Sequence, residues 1–182
     1  MMLFTPLCLL LGTSALAQAH GINAKRDGNC TQLPLGKGPV PSPDNSHEFL
    51  TSKELASQAN NAPTPENYTE SFKNLQASSS TDKYLGYITL DSYDTSRCAS
   101  ECNSRSDCQS INVFFERSPT RQVGPACVDP ASTTFIKCAL WGTVVTKSTA
   151  KNGGFQDHAF VVAIAGSNGY FNERAGKVDL YA

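Results

Sequence analysis

The stretch CASECNSRSDC, residues 98–108, places three cysteines in eleven positions with the spacing C-x3-C-x5-C. Three more, Cys30, Cys127 and Cys138, lie elsewhere, and a seventh, Cys8, falls in an N-terminal apolar stretch that reads as removed on export. Six cysteines in an exported chain imply disulfides, because an oxidising compartment keeps thiols paired. A structural zinc site wants C-x2-C pairs or Cys/His groupings, and thioredoxin-type exchange wants C-x-x-C. Neither spacing occurs, and the three histidines lie far from the cysteines in sequence. The sulfurs are therefore expected to fasten a fold together. Fifteen pairings are possible for six cysteines, and spacing alone does not choose among them.

Export is read from residues 1–19, MMLFTPLCLLLGTSALAQA: an apolar run, then small residues with A-x-A cleavage options after Ala17 or Ala19. The run is too short to span a bilayer, and no second long apolar stretch follows, so no membrane anchor is expected. Lys25-Arg26, a dibasic pair before Asp27, marks residues 20–26 as a candidate pro-segment. Two Asn-x-Ser/Thr triplets, at Asn29 and Asn67, are candidate N-glycosylation sites in that context. Fifteen Lys and Arg against sixteen Asp and Glu, scattered along the chain, give no basic stripe of the kind nucleic acid requires.

Residues 27–67 are rich in Pro, Gly, Asn and Ser, so no strand ladder is expected there. They read as a leader with one short helix within 52–59, capped by Thr51 and Glu54 and stopped by Asn60-Asn61-Ala62-Pro63. The pattern changes at Tyr68. Segments 68–75 and 84–90 carry β-branched and aromatic residues on either side of a turn-rich SSSTD. Asp94 is a good N-cap for a helix over 95–104, which sets Cys98 and Cys102 on one face, aimed at whatever the helix packs on. QSINVFFER alternates, with Ile111, Val113 and Phe115 on one face. In FIKCALWGTVV, Ile136, Cys138 and Leu140 share a face, and AFVVAIAG suits a central strand. GSNGY, 166–170, reads as a turn, and 171–182 as a polar tail. The fold class expected for 68–170 is α+β: an antiparallel sheet of about five strands with one helix packed across it, stapled by disulfides.

This order of elements, with two helix cysteines, a cysteine entering the next strand and C-A-L-W on the strand after it, resembles the PAN/apple module. YLGYITLDSYDTSRCASEC, INVFFERSP, IKCALWG and FVVAIAGSNGY are similar to a family of secreted fungal apple-like proteins, and the leader GKGPVPSPD extends the likeness over about residues 27–170. The resemblance implies the pairings Cys98–Cys138 and Cys102–Cys108, which leaves Cys30 with Cys127. It implies a binding scaffold, but function resides in sites rather than folds.

Catalytic readings are weaker. Cleavage after Ala19 would expose His20 as an N-terminal copper ligand with His47 or His158 as partner, whereas processing at Lys25-Arg26 would remove it. Asp91, Asp94, Glu101, Glu116 and Asp157 are dispersed, with no spacing that predicts the paired carboxylates of a glycosidase. There is no G-x-S-x-G motif. No cofactor or metal is expected. The aromatic candidates for a ligand surface are Tyr93, Phe114, Trp141 and Tyr170. If Ile111, Val113 and Phe115 face the helix, Phe114 lies opposite with Asn112 and Glu116, and Trp141 opposes Cys138 and Leu140. Phe114, Glu116, Arg117 and Trp141 thus form the candidate binding surface. The alternative for the aromatics is burial under the leader or the 117–134 loop, and for Glu116 and Arg117 simple pairing with neighbours. The expected protein is a secreted, non-catalytic module binding a glycan or an extracellular protein. The alternatives are a structural cell-wall or matrix glycoprotein and the copper enzyme built on His20.

Overall fold

The computed structural model describes residues 30–173. The expected signal peptide with Ala17 and Ala19, His20, Lys25, Arg26, Asn29 and the expected tail beyond 173 lie outside the described residues. In chain order the elements are α1 (Ser46–Thr51), α2 (Lys53–Asn61), β1 (Tyr68–Leu75), β2 (Ser78–Ser79), β3 (Tyr84–Leu90), α3 (Thr95–Asn103), β4 (Ser110–Pro119) and β5 (Ser132–Trp141). A single 3-10 turn (Lys147–Thr149) then precedes β6 (Ala150–Asn152), β7 (Gly154–Asp157) and β8 (Phe160–Asn172). The main sheet runs β1-β8-β4-β5-β3, with β7 beside the first half of β8, and every pair in it is antiparallel. β2 and β6 form a separate two-stranded ribbon. The fold is the α+β, antiparallel, disulfide-stapled class that the hydrophobic periodicity predicts.

The strand alternation sorts the core into two layers. Ile111, Val113 and Phe115 of β4 meet Ile136, Cys138 and Leu140 of β5 in a cluster that also holds Phe49, Leu55, Leu90, Cys98, Ala99 and Cys102. This is the layer between sheet and helices. The other face carries a smaller cluster of Phe72, Phe114, Ala139, Trp141, Val145 and Ile164. α3 starts as expected, with the Asp94 carboxylate accepting from the Arg97 N–H at 2.8 Å.

The disulfides are Cys98–Cys138, Cys102–Cys108 and Cys30–Cys127, with Cα–Cα distances of 5.6, 5.3 and 5.4 Å. The first ties α3 to the middle of β5, the second closes the turn after α3, and the third fastens the leader to the β4–β5 loop.

The leader holds two helices where one was expected. α2 is capped by Ser52, whose hydroxyl accepts from the Leu55 N–H at 3.3 Å, and not by Thr51. Thr51 belongs to the preceding helix, where its hydroxyl donates to the His47 carbonyl. α1 begins at Asn45, whose side chain accepts from the Glu48 N–H. The two helices bury Phe49, Leu55 and Ala59, so the leader completes the core instead of lying loosely on it. Upstream, residues 30–44 run across the β4–β5 end. Gly36 N–H donates to Thr133 Oγ1, Gly38 N–H to the Thr134 carbonyl, and Thr134 Oγ1 to the Pro39 carbonyl.

GSNGY is not a turn. It lies inside the thirteen-residue β8, which continues through Phe171 and Asn172 of the expected tail. The turn-forming composition serves a bulge. Val113 pairs with Asn168 and Phe115 with Ala165, so Gly166 and Ser167 together oppose Phe114. Gly166 has φ +56°, where a side chain is disfavoured. The extra residue inverts the alternation, so that Ala163 and Ala165 before it and Tyr170 after it enter the same helix-side cluster.

Two buried asparagines flank that bulge and hold the layers in place. Asn168 donates to the Ala59 carbonyl of α2 and to the Tyr170 hydroxyl, and accepts from the Asn74 N–H of β1. Asn112 donates to Ser167 Oγ and the Asn168 carbonyl, and accepts from the Ser79 N–H. One thus secures the helices and the other the β2–β6 ribbon, each with both ends of its amide satisfied.

Candidate functional site: a tyrosine-walled groove on the second sheet face

The ribbon covers only part of the second sheet face. Beside it, between β2 and the edge strand β3, lies an open groove of about 410 Å³. Its floor is β4 and β5, through Phe114, Glu116, Lys137, Ala139 and Trp141. Residues 78–81 and Asn152 form one rim, and Tyr84 and Tyr87 form the other.

The tyrosine wall depends on backbone irregularity. Residues three apart on a regular strand point to opposite faces. On β3, Tyr84 pairs with Trp141, Gly86 with Leu140 and Tyr87 with Ala139, so one residue is bulged out between Tyr84 and Gly86. Gly86 sits at φ +103° with open space where a Cβ would stand, so its backbone and not crowding demands glycine. Leu85 in the bulge and Ile88 after it pack on the helix-side core, which leaves both Tyr84 and Tyr87 for the groove. They are 52% and 53% exposed, among the largest apolar surfaces the described chain offers to solvent.

Each ring is held. Tyr84 lies 5.0 Å, centroid to centroid, from the Trp141 indole at a tilt of 53°. The Lys137 ammonium sits 4.5 Å above the Tyr87 ring, a cation–π contact, and is anchored by Glu116 at 2.6 Å. Glu116 also accepts from Ser118. Burial raises the Tyr84 phenol above its usual value, with Tyr87 and the Glu116 charge adding to the effect, so the hydroxyl is protonated and able to donate at neutral pH. The Trp141 indole N–H, in the floor, has no hydrogen-bond partner among the described residues.

Of the expected surface, Phe114, Glu116 and Trp141 are brought together here. The two aromatics are each 5% exposed, as floor and not platform. They are covered neither by the leader nor by the 117–134 loop; the ribbon and Tyr84 shield them. Arg117 does not belong. It is 4% exposed and points away, donating to the Val161 carbonyl and to the Asp44 carboxylate of the leader while stacking 4.3 Å over Phe160. Tyr93 and Tyr170 are not surface aromatics either. The Tyr93 hydroxyl is shared between the Val113 and Gly166 carbonyls, and burial pushes its pKa well above the usual phenol value. Tyr170 is fully buried, and burial, partly offset by the Asn168 hydrogen bond, pushes its pKa up to about 12.

Tyr84, Tyr87, Lys137, Asn152 and the serines of β2 are groove residues that the sequence reading missed. The available signal was YLGY, because an isolated glycine inside a strand pattern marks a bulge. Of the dispersed acids, Asp91, Asp94 and Glu101 come together along one open pocket beside Arg97, away from the groove. Asp94 caps α3, Glu101 pairs with Arg97, and the Asp157 carboxylate meets its neighbour His158 at 2.9 Å. His47 is exposed on α1. Among the described residues no group of three or more His, Cys, Asp or Glu could hold a metal ion, and no helix is long and apolar enough to cross a membrane. Asn67 is exposed, with φ +62°, just before β1.

Fold and groove together define a class: a small disulfide-stapled α+β domain with a preformed, tyrosine-walled groove on the sheet face away from its helices. Comparison with protein-family models, with curated proteins and with solved structures finds no match.

Proposed function

We propose that the protein is a secreted, non-catalytic binding module, apple-like in ancestry, that takes a glycan or an extracellular protein in the groove at a fungal surface or in a host. The observation that carries this reading is the Gly86 bulge, which turns two half-exposed tyrosines onto one face beside a floor that carries the Glu116–Lys137 pair. Bulges re-aim side chains at functional places, and exposed aromatics beside convergent polar groups are the ordinary make-up of a binding site. Three disulfides support an extracellular setting. A non-catalytic role is supported by the floor chemistry. Among the described residues Glu116 is the only carboxylate lining the groove, and it is neutralised by Lys137, whereas glycoside hydrolysis needs two opposed carboxyl groups.

The test is a binding panel of chitin, β-glucan and cell-surface proteins, comparing the wild-type chain with a Tyr84→Ala/Tyr87→Ala double variant. Capture of at least one panel member, lost in the double variant, is the expected result. A panel in which nothing binds, or in which binding survives the double substitution, counts against the groove.

A further inference from the structure

We infer that the groove selects an uncharged oligosaccharide, with Lys137 acting as a built-in counter-ion that keeps charged ligands out. The inference rests on the reading that the groove is the ligand site, and narrows its ligand to one chemistry.

Among the described residues, Glu116 and Lys137 are the only charged ones that line the groove, and they face each other at 2.6 Å with side chains 18% and 15% exposed. The lining therefore has no net charge. An anionic ligand would compete with Glu116 for Lys137, and a cationic one would compete with Lys137 for Glu116. Either leaves one partner of a largely buried pair unmatched, which is costly. The site also has the parts of an aromatic cage for an ammonium ligand, with tyrosine faces beside a carboxylate. That role is already filled, because the protein's own ammonium occupies one face of Tyr87 and the Glu116 oxygen.

What remains open suits a neutral polyol. The exposed parts of Tyr84 and Tyr87 offer flat apolar surface for the C–H face of a sugar ring. Ser80, Thr81 and Asn152 add uncharged donors and acceptors along the opposite rim. The rings are preordered by Trp141 and Lys137, so little mobility is lost on binding. A volume near 410 Å³ lies in the ordinary range for small-ligand sites.

The experiment is isothermal titration of the full chain with four hexasaccharides of matched length: β-linked glucose and N-acetylglucosamine, both uncharged; glucosamine, cationic; and galacturonate, acidic. At least one neutral hexamer is expected to bind, and neither charged one. Tyr84→Ala and Tyr87→Ala should each weaken the neutral complex about tenfold. Lys137→Met leaves Glu116 without its counter-ion and should open the groove to the glucosamine hexamer. Glu116→Gln/Lys137→Met, which restores a neutral lining, should close it again while keeping the neutral ligand. A thermal melt of each variant identifies any that fail to fold. The inference is overturned if neither neutral hexamer binds, if the wild type prefers a charged one, or if folded Lys137→Met keeps the wild-type charge preference. A tyrosine-dependent protein ligand with no sugar binding would sink this inference and leave the proposed function standing; ligands indifferent to both tyrosines would sink the two together.

Discussion

Asp44 and Arg117 show how single side chains lock the leader to the sheet. The Asp44 carboxylate accepts from Arg117 at 2.9 Å, from the Ser132 N–H at 2.7 Å and from the Ser132 hydroxyl at 2.6 Å. Burial alone would raise its pKa, but the Ser132 hydrogen bonds and Arg117 outweigh burial and hold it below 3.8. A folded-state value below the unfolded one contributes stability above the unfolded pKa, and that stability is lost as pH falls through the folded value. Asp44→Asn should therefore destabilise the protein at pH 7 by about 1–3 kcal/mol, less than for a fully buried pair because a third of the Asp44 side chain faces water. In urea melts across pH, the gap between variant and wild type should shrink below pH 3.8; a gap that is constant with pH would contradict the assignment. Asn168→Ala should cost about 3 kcal/mol, because it strands the buried Ala59 carbonyl and the partly buried Asn74 N–H together. A urea midpoint shifted by much less would mean the network relaxes. Neither pair was legible in the sequence. Arg117 looked like the next surface residue after Glu116, and Asn168 sat in a Gly-Ser-Asn-Gly string that is turn chemistry by local rules. Only the partner strands and the leader, distant in sequence, decide otherwise.

Elements with a strong internal period were readable. β1 and β3 fall on the expected segments, 68–75 and 84–90, and α3 starts at the Asp94 cap. The two faces of β4 and β5 also sort as the alternation predicts, which placed Phe114 and Trp141 opposite the helix-side core. Short pieces were not readable. β2, β6 and β7 span two, three and four residues, too few for a pattern, and exist because long-range partners supply their hydrogen bonds. The groove's far rim therefore stayed hidden. Strand bulges escaped for a related reason, since a glycine marks a possible bulge but pairing register locates it. At β3 this carries a prediction. Gly86→Ala meets no steric obstacle but must hold φ +103°, a strain of roughly 1–3 kcal/mol. Relaxation would restore regular alternation and turn one tyrosine out of the groove. Ligand binding should fall further than the thermal stability change accounts for; equal effects on both would argue that the bulge is only structural.

Across the whole molecule, covalent links and one preformed groove divide the labour. The Cys98–Cys138 loop of 40 residues gives, on the chain-entropy model, about 4 kcal/mol, and the Cys102–Cys108 loop of 6 residues about 2 kcal/mol. Removing the first pair as Cys98→Ala/Cys138→Ala should thus lower the denaturation midpoint more than Cys102→Ala/Cys108→Ala, and the reverse order would contradict the picture of α3 pinned to mid-sheet. The groove can be read directly, because the chain has a single tryptophan and it lies in the groove floor. The most direct measurement is a fluorescence titration of Trp141 with an uncharged hexasaccharide, run beside calorimetry on the same samples. A saturable change in emission that tracks the calorimetric isotherm, and disappears in Tyr84→Ala/Tyr87→Ala, is the predicted result. Calorimetric binding with unchanged Trp141 emission would place the ligand elsewhere and contradict the account.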